Sequence, residues 1–207
     1  MRAAPEQTAG DCNIVIALKC EARPLINHYG LQRDNSQSSW PVYHNNGLSL
    51  IISGAGKANA TAACAWLQAQ QPAHHWLNIG IAGHAHADIG SQWLVETVTD
   101  ATTQECWCID TALLPGQSRL PLITVDKPSE YERENCLYDM EAAGLMSACS
   151  RIPEPPSITV LKIVSDNNNQ HWKSVNSKTV STLITAAMPL IQTTIDALLK
   201  QGHAPTS

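Results

Sequence analysis

The feature that most constrains the fold is an alternation of buried-strand patterns with helical segments. Short, largely apolar runs occupy residues 14–18, 76–83 and 157–164, and the first of them is rich in β-branched residues. Each run has the length of a strand buried on both faces, whereas residues 58–70 and 177–200 are typical of helices. This order predicts a single-domain α/β protein with three layers, α/β/α, and a mostly parallel or mixed central sheet. In such sheets, ligands bind at the carboxyl ends of the strands.

The length of the chain predicts one domain with a sizeable core. The chain has 207 residues, of which 43% are hydrophobic and 15% are charged. We therefore expect one α/β domain over residues 13–200, with polar tails over 1–12 and 201–207.

The charge and the cysteines exclude several functions. The net charge is −5 with no basic stripe, so nucleic acid is not an expected partner. No run approaches the ~20 apolar residues of a membrane helix, so no membrane association is expected. The N-terminus is polar, which predicts no secretory signal. Most of the seven cysteines stand in apolar segments. We interpret them as buried, reduced thiols of a cytoplasmic protein.

Three carboxylates stand close to strand ends in distant parts of the chain. Glu21 follows the first strand, Glu141 begins the helix after residues 137–139, and Asp166 follows the strand over 157–164. Because strand ends meet at one edge of a sheet, these side chains are candidates for one cleft. For any one of them alone, helix capping or solvent exposure is the better interpretation. Asp139 is interpreted as the N-cap of a helix over 140–150.

Five short motifs occur in a fixed order along the chain. They are Ala17-Leu18-Lys19-Cys20-Glu21, residues 53–60 (Ser-Gly-Ala-Gly-Lys-Ala-Asn-Ala), residues 78–83 (Asn-Ile-Gly-Ile-Ala-Gly), Asp139-Met140-Glu141-Ala142-Ala143 and Ser165-Asp166. In these motifs the chain resembles the nucleoside phosphorylase superfamily, and most of all its methylthioadenosine/S-adenosylhomocysteine nucleosidase branch. The resemblance implies that superfamily's fold, a homodimer, a small purine nucleoside as partner, and neither cofactor nor metal.

The resemblance also implies roles for the residues in these motifs. Glu21 would position and activate the attacking water. Glu141 would hold the ribose hydroxyls, with Met140 against the sugar. Asp166 would protonate the purine at N7, with Ser165 orienting it. These roles agree with the chemistry, because the sugar becomes cationic as the glycosidic bond breaks and carboxylates stabilise positive charge.

Two departures from the family pattern concern charge. Lys162 replaces an arginine that supports the water-activating glutamate, which keeps the charge but loses the guanidinium fork. Ile81 stands where phosphorylases of this superfamily bind phosphate with Ser or Thr. Because an isoleucine side chain donates no hydrogen bond, water is favoured as the nucleophile. Arg23 and Lys57 are the nearest basic candidates by sequence if phosphate is used instead.

Two further departures concern the substrate pocket. Only about twenty residues separate Asp100 from Leu120, fewer than in typical family members, which predicts a reshaped or more open pocket for the sugar's 5′ end. The chain contains no Phe, so the family's stacking position, residues 125–128, has no aromatic ring. Trp172 is either a lid over the base or a half-buried packing residue. Tyr131 and Tyr138 are the other nearby aromatic residues.

The sequence therefore predicts an N-ribosyl hydrolase that cleaves an adenosine-derived purine nucleoside. Two alternatives stay open: a phosphorylase with an unusual 5′-substituted substrate, and a non-catalytic nucleoside-binding protein on the same fold. A zinc site at His84, His86, Cys106 and Cys108 is disfavoured because the ligand spacings are too short. His84 is retained only as a residue that would line the cleft beside Ile81.

Overall fold

A computed structural model describes residues 10–36, 39–110, 112–128 and 135–202 of the chain. Ten strands, four α-helices and one 3₁₀ helix follow one another in these residues. In chain order they are β1 (Gly10–Ile16), α1 (Lys19–Tyr29), β2 (Gln32–Arg33), β3 (Val42–Asn45), β4 (Leu48–Ile52), α2 (Lys57–Gln70), β5 (Ala73–His84), β6 (Gln92–Asp100), β7 (Cys106–Cys108), β8 (Arg119–Thr124), β9 (Leu137–Asp139), α3 (Ala142–Cys149), β10 (Ser157–Asp166), the 3₁₀ helix (Trp172–Ser174) and α4 (Ser177–Gly202).

All ten strands belong to one mixed sheet, as the sequence predicts. β1 lies parallel to β4 and β5, and β5 lies parallel to β10. β10, β6, β8, β9 and β5 follow one another in the sheet, and β10 also pairs with β5, so these five strands close into a ring. The ring is not predictable from the strand patterns alone, because β9 has only three residues.

Helices cover both faces of the sheet, which confirms the three-layer prediction. α1 packs against α4 on one face, and α2 packs against α3 on the other. Alternate residues of β1 separate the two cores, as expected from the two-residue period of a strand. Ile14 and Ile16 belong to the core under α1 and α4, whereas Val15 belongs to the core under α2 and α3.

The two helices α2 and α3 approach each other very closely. A Cβ atom at Gly144 would lie 2.4 Å from the backbone oxygen of Lys57, so only glycine fits at this position. This contact brings the N-terminus of α2 next to the residues that precede α3. It therefore positions the glycine loop of residues 53–56 at the candidate site.

α4 is long and apolar enough to cross a membrane by length and composition alone, although the sequence analysis expects no such segment. One stripe of its side chains is buried in the core. Because a buried amphipathic stripe is what a helix covering a sheet requires, packing explains its composition. The stripe consists of Val180, Ile184, Ala187, Ile191, Ile195 and Leu198.

The ends of the domain and two cysteines differ from expectation. β1 begins at Gly10 and α4 extends to Gly202, so both elements include residues assigned to the tails; residues 1–9 and 203–207 lie outside the described residues. Cys106 and Cys108 are exposed, and the interpretation of the cysteines as buried is wrong for these two. They lie on the edge strand β7, which pairs with β6 alone among the described strands.

Candidate active site

A cavity of about 310 Å³ lies at the carboxyl ends of β1 and β10. Its lining combines carboxylates with apolar side chains from distant segments, which is the composition expected of a small-molecule site. All of the predicted site residues except Lys162 line it. The described lining residues are Ala17, Leu18, Cys20, Glu21, Ala55, Ile81, Ala82, Gly83, Val125, Pro128, Tyr138, Asp139, Met140, Glu141, Ser165, Asp166, Trp172, Val175, Asn176, Ser177 and Val180.

Glu21 is the third residue of α1 and is almost fully buried. Its Oε2 accepts a hydrogen bond from the backbone N–H of Leu18 at 2.8 Å, and its Oε1 accepts one from that of Ile81 at 2.9 Å. Burial raises the pKa of Glu21 to about 7, and the two backbone hydrogen bonds oppose this shift. A carboxylate held in this way is fixed in position and exchanges a proton near neutral pH, as a general base requires.

Lys162 and Asp139 form a buried ion pair beside the cavity. The Lys162 Nζ lies 2.8 Å from Asp139 Oδ2, and both side chains are inaccessible to solvent. Thr124 donates a hydrogen bond to Asp139 Oδ1 at 2.7 Å, so both carboxylate oxygens are occupied. The family resemblance implies that Lys162 supports Glu21. The structure gives it Asp139 as a direct partner, while its charge also lowers the pKa of Glu21.

The interpretation of Asp139 as an N-cap needs a correction. The helix α3 begins at Ala142 and not at Met140, and Glu141 occupies its N-cap position. Asp139 does accept a hydrogen bond from the backbone N–H of Ala142 at 2.9 Å. The Asp139 carboxylate therefore both accepts a hydrogen bond from the first residue of α3 and pairs with Lys162. Capping preferences predict only the first of these contacts.

Glu141 is held by the glycine loop that precedes α2. Its Oε1 accepts a hydrogen bond from the backbone N–H of Gly56 at 2.8 Å. Gly56 has φ of 100°, a conformation that favours glycine. Burial and the neighbouring Asp139 raise the pKa of Glu141, while Lys162 lowers it. Met140 lies next to Glu141 in the cavity wall.

Ser165 and Asp166 form the end of β10. The pairing of β10 with β5 shifts by one residue between Val164 and Asp166, which is a β-bulge. Because a bulge re-aims side chains, two consecutive residues can face the same cavity here. Ser165 Oγ donates a hydrogen bond to Asp166 Oδ1 at 2.5 Å, which fixes one oxygen of this carboxylate.

Apolar side chains form the part of the cavity wall in which the family carries a stacking ring. Val125 and Pro128 line the cavity from the segment in which the family carries Phe. Tyr138 is buried in the same wall, and Tyr131 lies outside the described residues. Trp172 lines the cavity but stays 37% exposed. Trp172 therefore lies where a lid over the base would lie, and its side chain is not buried in the core.

The basic residues considered for phosphate lie elsewhere. The Nζ of Lys57 is 2.8 Å from Asp100 and 3.2 Å from Asp126, so two carboxylates hold it. Arg23 is exposed on α1 and lines a second, adjoining groove. Among the described residues, no Lys or Arg side chain lines the first cavity.

The histidines and cysteines of the disfavoured zinc site have other environments. His84 does not line the cavity; it is buried, and its Nδ1 accepts hydrogen bonds from the backbone N–H groups of His86 and Ala87. Burial lowers the pKa of His84, in keeping with a neutral acceptor. In the part of the chain that the structure describes, no group of three or more His, Cys, Asp or Glu residues is arranged to hold a metal ion.

Sequence reasoning missed the contribution of the start of α4. Val175, Asn176, Ser177 and Val180 all line the cavity. Asn176 Oδ1 accepts hydrogen bonds from the backbone N–H groups of Lys178 and Thr179 at 3.0 Å. An Asn directly before a helical pattern is a recognisable N-cap, so the helix start was readable, but its proximity to α1 was not.

Comparisons with known proteins agree with this architecture. No protein-family model matches the chain, and a sequence search of curated proteins finds no match. Among solved structures, the chain is similar to apo 5′-methylthioadenosine nucleosidase of Arabidopsis thaliana, with a TM-score of 0.77, 17% identity, and coverage of 90% of this chain and 95% of that one. A mutant Helicobacter pylori nucleosidase with 5′-methylthioadenosine in its active site gives a TM-score of 0.77 at 11% identity, covering 91% and 99% of the two chains.

A third structural neighbour has the same fold and is named for a different substrate. Futalosine hydrolase of Helicobacter pylori gives a TM-score of 0.74 at 13% identity, covering 89% of this chain and 97% of that one. The chain therefore has the fold of the nucleoside phosphorylase superfamily, as its five ordered motifs predict.

Proposed function

We propose that this protein is an N-ribosyl hydrolase that cleaves the N-glycosidic bond of an adenosine-derived purine nucleoside. The observation that carries the proposal is the convergence of Glu21, Glu141 and Asp166 on one cavity from three separate segments. Three carboxylates suit the three needs of the reaction, which are a base for water, a holder for the sugar and an acid for the leaving group.

The reaction divides among these residues as follows. Glu21 accepts a proton from water as the water oxygen bonds to C1′ of the sugar. The bond between C1′ and N9 of the purine breaks, and its electron pair goes to the base. Asp166, oriented by Ser165, donates a proton to N7, so the base leaves neutral. Glu141 holds the ribose hydroxyls, and the nearby carboxylates stabilise the cationic sugar of the transition state.

The charge around the cavity supports water over phosphate as nucleophile. The described lining contains carboxylates and no cationic side chain. The backbone N–H of Ile81 already donates to Glu21, and its side chain has no polar atom. A phosphate dianion placed here would be repelled by Glu21 and Glu141 when they are ionised, with no described cation in the lining to offset this.

The names of the structural neighbours support the same reaction class. The neighbours include nucleosidases and futalosine hydrolase, and one of the solved nucleosidases holds 5′-methylthioadenosine in its active site. At 11–17% identity these names do not transfer a substrate to this chain. A homodimer and a cytoplasmic location remain predictions from the family resemblance and the sequence; light scattering would test the first.

A panel of purine nucleosides, incubated with and without inorganic phosphate, tests the proposal. We expect free base to appear without phosphate, and Asp166→Asn to abolish its release while ligand still binds. Asp196→Asn is the matched control, because Asp196 is exposed on α4 and lies outside the cavity. Strict dependence on phosphate would overturn hydrolysis in favour of phosphorolysis, and binding without base release would favour a nucleoside-binding protein.

A further inference from the structure

The last residue of β5, His84, is buried outside the cavity. Its Nδ1 accepts hydrogen bonds from the backbone N–H groups of His86 at 3.0 Å and Ala87 at 2.9 Å. Because a neutral imidazole accepts at one nitrogen and donates at the other, the proton of this ring lies on Nε2. Burial lowers the pKa of His84 and so favours the neutral form. The ring therefore fixes the turn that follows β5, residues 85–87, which we call the β5 loop.

The β5 loop holds the first residues beyond β10. The backbone oxygen of Ala85 accepts a hydrogen bond from the backbone N–H of Asn168 at 3.1 Å. The backbone oxygen of Ala87 accepts one from Nδ2 of the buried Asn167 at 2.9 Å. These two asparagines thus depend on the β5 loop for their position, and the β5 loop depends on His84.

The amide of Asn167 is held at both of its polar atoms. Its Oδ1 accepts hydrogen bonds from the backbone N–H groups of Asn169 at 2.9 Å and Gln170 at 3.0 Å. Because an amide oxygen only accepts and an amide nitrogen only donates, a rotated side-chain amide would lose these contacts together with the one to the β5 loop. The amide therefore links the β5 loop to the chain beyond β10 in a single orientation.

Asp166 lies directly before these supported residues. It pairs with Gly83 of β5 after a bulge between Val164 and Asp166. A bulge leaves a residue out of the ladder and bends its strand, so the direction of the strand end depends on contacts beyond the ladder. The hydrogen bonds of Asn167 and Asn168 are such contacts, one and two residues past Asp166. We therefore expect a displaced β5 loop to shift the Asp166 carboxylate in the cavity.

We propose that His84 is a positioning residue for base release. By accepting two backbone hydrogen bonds it holds the β5 loop, and through that loop it aligns the Asp166 carboxylate with N7 of the base. This inference rests on the proposed function for the role of Asp166. Because His84 acts on the proton donor and lies outside the cavity, loss of its acceptor should lower kcat and leave KM almost unchanged.

Two nearly isosteric substitutions test this. Asparagine places an amide oxygen where Nδ1 of His84 lies, whereas leucine places a methyl group there and accepts no hydrogen bond. For His84→Leu we expect kcat to fall about 10- to 100-fold with KM changed by less than about threefold, as for a small displacement of a catalytic group. His84→Asn should keep kcat within about threefold of the wild type, because it keeps the acceptor.

The kcat values are compared per folded protein, with the folded fraction taken from urea denaturation. His74→Leu is the matched control, because it makes the same replacement at an exposed histidine near the other end of β5, and it should retain wild-type kcat. An equal loss of kcat in His84→Leu and His84→Asn would overturn the proposal. So would a His84→Leu variant that is less stable but whose folded fraction keeps wild-type kcat, since His84 would then only stabilise the fold.

Hydrogen exchange measured by mass spectrometry follows the same contacts without turnover. Peptides that cover residues 85–91 and 166–171 should both exchange faster in His84→Leu than in the wild type. In His84→Asn and His74→Leu they should exchange at the wild-type rate. Faster exchange in the first peptide alone would show that the β5 loop does not hold the chain after Asp166, and would overturn the proposal.

The two measurements separate this inference from the proposed function. If base is released without phosphate but His84→Leu keeps wild-type kcat, hydrolysis stands and the role of His84 is wrong. If the wild-type protein releases no base from any nucleoside, the proposed function is wrong and His84 has no base release to support. Faster exchange of both peptides in His84→Leu would then still show that His84 holds the segment of Asp166.

Discussion

The candidate site has two regions built in different ways. The buried carboxylate group consists of Glu21, Asp139 and Glu141 with Lys162, and backbone N–H groups or buried side chains hold each of these carboxylates. The exposed rim consists of Val125, Pro128, Trp172 and Asn176, which are half-buried or exposed. The fold holds the side chains of the buried carboxylate group in place, whereas the side chains of the exposed rim have fewer contacts that fix them.

This difference predicts a division of tasks. Groups fixed before the substrate binds contribute most to catalysis, because no reorganisation is needed in the transition state. Side chains at an exposed rim contribute to affinity and to the choice of substrate. Substitutions in the buried carboxylate group should therefore change rate and stability, and substitutions in the rim should change KM. The four predictions below test this division.

The largest effect is expected for Glu21→Gln. The amide keeps the shape of the side chain but accepts no proton from water, so kcat should fall about 100- to 10,000-fold with KM changed little. Glu154→Gln, an exposed site outside the cavity, is the control and should retain wild-type activity. Steady-state kinetics on the best nucleoside measures both. A loss of less than tenfold would remove Glu21 from the role of base.

The next effect concerns stability. Lys162→Met leaves the buried Asp139 carboxylate without its cation, and the free energy of unfolding should fall by about 3–5 kcal/mol. Urea denaturation measures this, with the exposed Lys200→Met as control. Lys162→Arg keeps the charge, so it should recover part of the loss. If the free energy of unfolding of Lys162→Met lies within about 1 kcal/mol of the wild-type value, the ion pair does not stabilise the fold.

The two regions also differ in how far the sequence predicts them. Glu21 and Asp166 were singled out because long apolar runs mark β1 and β10, and Glu141 because it stands in the Asp139-Met140-Glu141 motif. The ion pair of Asp139 with Lys162 was missed. Its members lie 23 positions apart, and the closed ring of strands that brings them together includes the three-residue β9.

Other features could not be predicted from the sequence because they depend on very short strands or on the packing of distant segments. β2, β7 and β9 have two or three residues, too few for a periodic pattern. The second groove depends on how α1 packs against α4, two helices separated by most of the chain, so no local pattern indicates it. Trp172 was readable as a residue near Asp166, but its exposure depends on the path of residues 167–176.

The third effect is a pH dependence of the buried carboxylate group. With a pKa of about 7 for Glu21, kcat/KM should rise about tenfold per pH unit below pH 7 and level off above it. Burial makes the native state hold this proton more tightly than the unfolded chain, whose pKa is near 4.5. Its contribution to stability is therefore complete below about pH 4.5 and is lost as pH rises through 7.

Stability and activity thus change in opposite directions with pH, and Glu21→Gln separates them. The variant should lose the part of the stability decline between pH 4.5 and 7 that Glu21 causes, because glutamine does not titrate. Urea denaturation at a series of pH values measures this. An unchanged decline in the variant would assign the titration to another group, such as Glu141, whose pKa is also raised.

The smallest effect belongs to the rim, at Trp172. If this ring covers the base, Trp172→Ala should raise KM by about tenfold, the size of one stacking contact on a nucleobase, and change stability by less than about 0.5 kcal/mol. If the ring instead packs the fold, Trp172→Ala should cost about 3 kcal/mol of stability or more, with KM unchanged. Trp172→Phe separates stacking from size, since it keeps an aromatic face and should recover most of the affinity.

Because the Trp172 ring is 37% exposed and lies in the cavity wall, we expect the first result, and kcat close to that of the wild type. A fall in kcat as large as that of Glu21→Gln would contradict the division between the buried carboxylate group and the exposed rim.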